Sequence, residues 1–144
     1  VNKNNQFNTP IGNYKNPTVC DESNLLTTSK ILKYADIKYQ DFTKITPNKG
    51  DFVYFDPPYH PTSQDSFVKY VSNGFSEKDQ IRLRDFALEL NKSGVNIMLS
   101  NSDADFISDI YKKNFKIEKI EAPRVVNCKA DKRQSVYETL ITNY

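Results

Sequence analysis

Strands and helices that alternate along the chain predict an α/β fold: a layer of mainly parallel strands joined by helical crossovers, with its functional site at the strands' carboxyl ends. Three observations lead there. DFVYFD at 51–56 is a nearly continuous apolar run of strand length, and VNIMLSN at 95–101 is a second. Between them, SEKDQIRLRDFALELNKSG at 76–94 carries Ile81, Leu83, Phe86, Leu88 and Leu90 at helical spacing, long enough to cross from one parallel strand to the next.

The remaining elements follow in order. Residues 1–19 are rich in Asn, Lys, Pro and Gly without a sustained apolar period, so they read as loop and hairpin, with TPIGNY suited to a turn. Asp21 stands where a helix N-cap belongs, and Leu25, Leu26, Ile31, Leu32 and Tyr34 fall close to helical spacing after it. IKYQDF at 37–42 alternates like a strand. Ser76 caps the long helix and Gly94 ends it. A helix at 103–114, a strand at 115–122 and a final strand at 135–144 complete the pattern.

Composition sets outer bounds. The chain has 144 residues, a quarter of them charged, with nine Phe, nine Tyr and no Trp, which is the profile of one globular domain. A net charge of +2 neither requires nor excludes a polyanionic partner. Cys20 and Cys128 lack CxxC spacing, which argues against a zinc site or a disulfide framework and for a reducing compartment. The only histidine, His60, has no metal-spaced cluster around it and reads as a loop residue. No apolar run approaches the roughly 20 residues of a membrane span and no signal peptide is evident, so the expected location is the cytoplasm, without membrane or metal.

The stretch that calls for chemistry is FVYFDPPYHP at 52–61. A buried-strand run stops at an acid, two prolines and a tyrosine. Pro57 and Pro58 fix φ and cannot donate to a ladder, yet their carbonyl oxygens remain acceptors. The result is a rigid acceptor pair, the Asp56 carboxylate and the Pro57 carbonyl, with the Tyr59 ring beside it. An isolated Asp-Pro-Pro is more often a plain strand breaker. Its place after a buried strand in an alternating α/β chain makes the pattern much more specific.

Asp56-Pro57-Pro58-Tyr59 resembles the catalytic motif of the amino-group DNA methyltransferases, and the surrounding sequence resembles their Dam-type, D12-class adenine-N6 branch. The likeness is collinear. FNTPIGNYKNP (7–17) is similar to the family's DNA-contacting hairpin, QDF (40–42) to its cofactor-adenine strand end, and GDFVYFDPPYHPTS (50–63) to its catalytic loop. SFVKYVSNGFSEKDQIRL (66–83) matches the loop-to-helix segment, LSNSD (99–103) the next strand end, and RVVNCKADKRQSVYETLITNY (124–144) the terminal hairpin.

The resemblance implies a Rossmann-like methyltransferase fold with a C-terminal antiparallel strand, S-adenosylmethionine as cofactor and double-stranded DNA as substrate. Adenine N6 is a weak nucleophile because its lone pair is delocalised, so acceptors must take its N–H hydrogens as it attacks the sulfonium methyl. By resemblance Asp56 and Pro57 do so, with Pro58 holding the loop and Tyr59 stacking on an adenine flipped from the duplex. Asp41 and Phe42, with Asp56, are the implied cofactor residues; without the family, Asp41 reads as an exposed strand-end acid. Asn8, Asn13, Tyr14 and Lys15 of the hairpin, and Lys132 and Arg133 near Lys129, are the implied DNA contacts, although a polar turn and a solvated basic loop are the plain alternatives. Phe67, Tyr70 and Phe75 either close the site or anchor the following helix.

The family's Phe-x-Gly-x-Gly segment for the cofactor's methionine half has no counterpart here, where Gly12, Gly50, Gly74 and Gly94 stand isolated. The expectation is therefore a C-terminal portion lacking the first strands: residues 1–19 the end of a DNA-recognition hairpin region, residues 20–144 the C-terminal part of the catalytic domain. It would act with an N-terminal part in the same or a separate chain. A catalytically incomplete nucleic-acid-binding module derived from such an enzyme is the other reading that the sequence leaves open.

Overall fold

The computed structural model describes residue 5 and residues 20–62, 74–122 and 136–144. The hairpin residues Asn8, Asn13, Tyr14 and Lys15, the aromatics Phe67 and Tyr70, and the basic residues Lys129, Lys132 and Arg133 lie outside the described residues. The elements in chain order are α1 (Glu22–Leu32), a 3₁₀ turn (Phe42–Lys44), β1 (Phe52–Phe55), α2 (Glu77–Lys92), β2 (Asn96–Ser102), α3 (Asp105–Tyr111), β3 (Lys116–Ala122) and β4 (Val136–Thr142).

The four strands form one sheet in the order β1-β2-β4-β3. β1 and β2 run parallel, whereas β2–β4 and β3–β4 are antiparallel. The sheet is thus mixed in its pairings, one parallel and two antiparallel, while β1, β2 and β3 point the same way and only the C-terminal strand β4 runs against them. The reason is connectivity. A helix of 16 residues separates β1 from β2 and allows a parallel crossover, while β4 enters between β2 and β3 and runs against both.

Register aligns the core. Phe55 pairs with Leu99, Leu99 with Ile141, and Ile141 with Ile117, a single apolar row across all four strands. α2 covers it with Leu83, Ala87 and Leu90, and α3 with Ile107 and Tyr111, all of them buried. Alternation along β1 sends Phe52 and Tyr54 to the opposite face, where they are 55% and 53% exposed.

Both predicted ends of the long helix are present. Ser76 and Asp79 form a reciprocal capping box. Gly94, at φ +76°, closes the other end: its N–H donates to Asn91 O at 3.0 Å and the Val95 N–H to Leu90 O at 3.1 Å. That is the Schellman arrangement, with buried Val95 next to buried Leu90.

Two regions depart from expectation. Residues 37–42 form no strand. Ile37 and Tyr39 lie open to solvent, and no strand runs beside them among the described residues; an alternating pattern without a hydrogen-bonding neighbour cannot hold a ladder. α1 does form, with Asp21 accepting from the Asn24 N–H at 3.1 Å, but none of its residues is buried. Its apolar side chains Leu25, Leu26, Ile31 and Leu32 remain 50–65% exposed.

The contrast between helices is testable in residues 1–144. Leu83→Ala should destabilise the protein by about 2–5 kcal/mol in urea unfolding, because it opens a cavity between α2 and the sheet. Leu25→Ala should change stability by less than about 0.5 kcal/mol. Equal effects would show that α1 shares the core.

Candidate active site

Because β1 and β2 are parallel, their carboxyl ends lie side by side, and the segment leaving β1 passes over the end of β2. β1 ends at buried Phe55, and Asp56 follows at once. Pro57 and Pro58 have no N–H, so the sheet's ladder cannot continue through them. Side chains hold the segment instead.

The Tyr54 hydroxyl donates to Ser100 Oγ at 2.9 Å, and the Ser100 hydroxyl donates to Asp56 Oδ1 at 3.1 Å. Further along, Gln80 Nε2 donates to the Pro58 carbonyl at 2.9 Å, and Asn101 Nδ2 donates to Gln80 Oε1 at 3.1 Å. Asn101 Oδ1 accepts the His60 N–H at 3.0 Å, and the Ser102 hydroxyl donates to the His60 carbonyl at 2.6 Å. The His60 ring stacks on Phe106 with centroids 4.8 Å apart, while its Nε2 lies 3.3 Å from Glu77.

A pocket of about 510 Å³ opens on one side of this loop, lined by Asp41, Phe42, Asp56, Pro57, Phe75 and Arg82 among others. The 3₁₀ turn presents its far wall. Asp41 Oδ1 accepts from the Thr43 N–H at 3.0 Å and the Thr43 hydroxyl at 2.7 Å, and Arg82 Nη1 reaches both Asp41 oxygens at 3.0 Å. The Thr43 N–H first, then the Thr43 hydroxyl and Arg82, lower the Asp41 carboxyl from 3.8 to about 2. The Arg82 guanidinium lies 4.4 Å from the centre of the Phe42 ring, which also packs against Phe75 and Phe86.

The structure therefore brings Asp41, Phe42, Asp56, Pro57 and Pro58 to one pocket. Tyr59 is absent from that lining. Its hydroxyl lies 3.3 Å from Glu138 of β4, and burial pushes the phenol's pKa up. Phe75 is shared, lining the pocket while its ring meets Phe42. Among the described residues, no cluster of three His, Cys, Asp or Glu has a metal-binding arrangement, and no helix is long and apolar enough to cross a membrane.

Sequence reasoning missed Arg82, Gln80, Ser100, Asn101 and Glu138. Gln80 did leave a signal. It occupies the inward stripe 80-83-87-90 of α2, where an amide among Leu83, Ala87 and Leu90 requires a polar partner. Ser100 and Asn101 stood at a strand end already matched to the family, but nothing local shows which loop they meet. Arg82 and Glu138 are surface charges whose partners are 41 and 79 residues away.

Comparison with known proteins places the sequence in a family. Residues 1–126 match the family model of the D12 class N6 adenine-specific DNA methyltransferases. The chain is 46% identical over 149 aligned positions to the type II methyltransferase M.MjaIII of Methanocaldococcus jannaschii, with 100% of this chain and 51% of that protein covered. It is 45% identical to the type II methyltransferase M1.LlaDCHI of Lactococcus lactis, covering 100% of this chain and 52% of the relative. It is 34% identical to the retron Ec67 DNA adenine methylase of Escherichia coli, covering 96% and 47%. The chain thus spans about half the length of the curated relatives it matches. By its sequence match and its collinear motifs, this chain belongs to the D12 class of N6 adenine-specific DNA methyltransferases.

Proposed function

We propose that these residues carry the catalytic loop and the cofactor-adenine side of an S-adenosylmethionine-dependent DNA methyltransferase that modifies adenine N6. The observation that carries this reading is the convergence of Asp56 and Pro57 with Asp41 and Phe42 on one pocket. In this reading residues 20–144 are the C-terminal part of a Rossmann-like catalytic domain, and residues 1–19 end a DNA-recognition hairpin region. An N-terminal part, in the same or a separate chain, completes the cofactor site. Relatives about twice as long support that division.

The pocket residues suit the cofactor's adenosine end. The volume lies within the roughly 300–1,000 Å³ usual for small-molecule sites. Phe42 and Phe75 offer aromatic walls, and among the described residues Asp41 Oδ2 accepts only from Arg82, which leaves a lone pair for an amino group. When bound, S-adenosylmethionine supplies an electrophilic sulfonium methyl. Asp56 and Pro57 accept the two N–H hydrogens of the target amine, which favours a pyramidal nitrogen and stabilises the positive charge that develops on it. Ser100 engages Asp56 Oδ1, so Oδ2 is the oxygen left for the amine. Tyr59, outside the lining of this pocket, offers its ring to a flipped adenine. Asn8, Asn13, Tyr14, Lys15, Lys132 and Arg133 contact double-stranded DNA.

Assays of radiolabelled methyl transfer to adenine-containing duplexes test the core of this reading. In the complete enzyme Asp56→Ala should lower kcat by at least about 10²-fold while DNA affinity is retained, because the lost acceptor acts mainly at the transition state. Near-normal turnover would remove Asp56 from the chemistry.

For Tyr59, the 3.3 Å contact to Glu138 is long, so Tyr59→Phe should be mild. Tyr59→Ala should weaken transition-state binding by about 1–3 kcal/mol, the worth of base stacking. Equal losses in the two variants would assign the function to the hydroxyl.

The Asp41 wall has a pH signature. A carboxyl lowered from 3.8 to about 2 stabilises the fold fully above 3.8, and that contribution disappears as pH falls through about 2. Carbon-detected NMR titration should find Asp41 near this low value. Arg82→Ala should raise it yet leave it below the ordinary range, since the Thr43 hydrogen bonds persist. An ordinary carboxylate titration in the unmodified protein would contradict the geometry.

A further inference from the structure

Gln80 and Asn101 are both 0% exposed. Two uncharged amides in a core are harder to place than two apolar side chains of the same volume, because every donor and acceptor must be met. Here the backbone dictates how they are met. At one end Asn101 Oδ1 faces two N–H groups, those of His60 and Ser102 at 3.0 and 2.9 Å, so it must be the oxygen. Asn101 Nδ2 then faces Gln80, which must present Oε1. Gln80 Nε2 is left facing the Pro58 carbonyl, which can only accept. The pair is a directional chain, with its polarity set at both ends by the loop and by β2.

That chain meets the loop where the loop has least support of its own. Pro57 and Pro58 supply no N–H, and no donor among the described residues reaches the Pro57 carbonyl. Two successive carbonyls are therefore distinguished. Both prolines border the pocket, but the Pro58 oxygen is bound by Gln80 while the Pro57 oxygen keeps its acceptor capacity among the described residues.

We infer that Gln80 and Asn101 are positioning residues for methyl transfer: by binding the Pro58 carbonyl and the His60 N–H, they orient the Pro57 carbonyl and the Asp56 carboxylate toward the amine. This inference rests on the function proposed above and adds two residues that touch neither substrate nor cofactor.

The test uses the complete enzyme and two substitutions. Gln80→Met conserves volume and removes both hydrogen bonds. It should lower kcat by about 10²-fold, the effect of roughly 1 Å of misplacement, with the Kd for DNA and for cofactor within about threefold of the unmodified enzyme. Gln80→Glu keeps an acceptor for Asn101 Nδ2 but sets a carboxylate oxygen against the Pro58 carbonyl. Burial favours the protonated form, and a protonated carboxyl donates as the amide does. Its kcat relative to the unmodified enzyme should therefore fall at high pH and recover as pH is lowered, with no such recovery in Gln80→Met. Taking the ratio at each pH cancels the pH effects that the two proteins share.

Folded Gln80→Met with kcat within about threefold of the unmodified enzyme would overturn the inference. So would a loss confined to KM or Kd, or a Gln80→Glu deficit that is the same at every pH. Should Gln80→Met fail to fold, the Gln80→Glu profile decides alone. No adenine methylation by the unmodified enzyme would overturn the functional reading and this inference together, whereas an active enzyme with indifferent variants would overturn only this one.

Discussion

The parallel pairing of β1 with β2 is the constraint on which the site depends. Parallel strands end on the same side of a sheet, so the segment leaving β1 must cross the end of β2. Had the two strands been antiparallel, Ser100, Asn101 and Ser102 would lie at the far edge from Asp56. Three consecutive residues of β2 instead meet the loop at Asp56, at the His60 N–H and at the His60 carbonyl. The strand end does with side chains what a ladder does elsewhere with backbone groups.

The prolines make that substitution necessary. They stop the ladder and stiffen the chain, but they also remove the donors that would normally fix a loop's orientation. Stiffness without orientation would be of little use to the proposed site, which has to aim two acceptors at one nitrogen. The buried amides and hydroxyls around residues 56–60 supply the orientation, and the hydrogen bonds they make to the loop and to one another are what make their burial tolerable. The opposite wall is organised otherwise. Asp41, Thr43 and Arg82 form a half-exposed cluster around Phe42, where solvent screens each ion pair. Geometry at that wall comes from the short capped turn more than from charge.

Support is distributed unevenly through the chain. The apolar row from Phe55 to Ile117, with α2 and α3 over it, forms the core beneath the loop. α1 and residues 37–40 contribute nothing to that core, and Phe52 and Tyr54 leave the other sheet face partly uncovered.

Much was legible in the sequence, for physical reasons. Apolar runs of strand length, the helical stripe ending in Leu83 and Leu90, the Ser76 cap and the Gly94 stop are local properties of the chain, and each element they predicted is present within one or two residues. Asp56-Pro57-Pro58-Tyr59 at a strand end was visible as a rigid acceptor arrangement, and its family likeness brought Asp41 and Phe42 with it. Residues 37–42 misled because alternation records only a preference; a strand also needs a neighbour, which no window of sequence contains. Strand order was equally out of reach, since β4 inserts between β2 and β3 for reasons of long-range register. The partners of the site belong to the same class. That Gln80 meets Pro58, Ser100 meets Asp56, Arg82 meets Asp41 and Glu138 meets Tyr59 depends on separations of 22 to 79 residues closed by the sheet. Local chemistry, written residue by residue, was determined by the sequence; which groups face one another was decided by tertiary structure, because only packing brings distant residues within hydrogen-bonding reach.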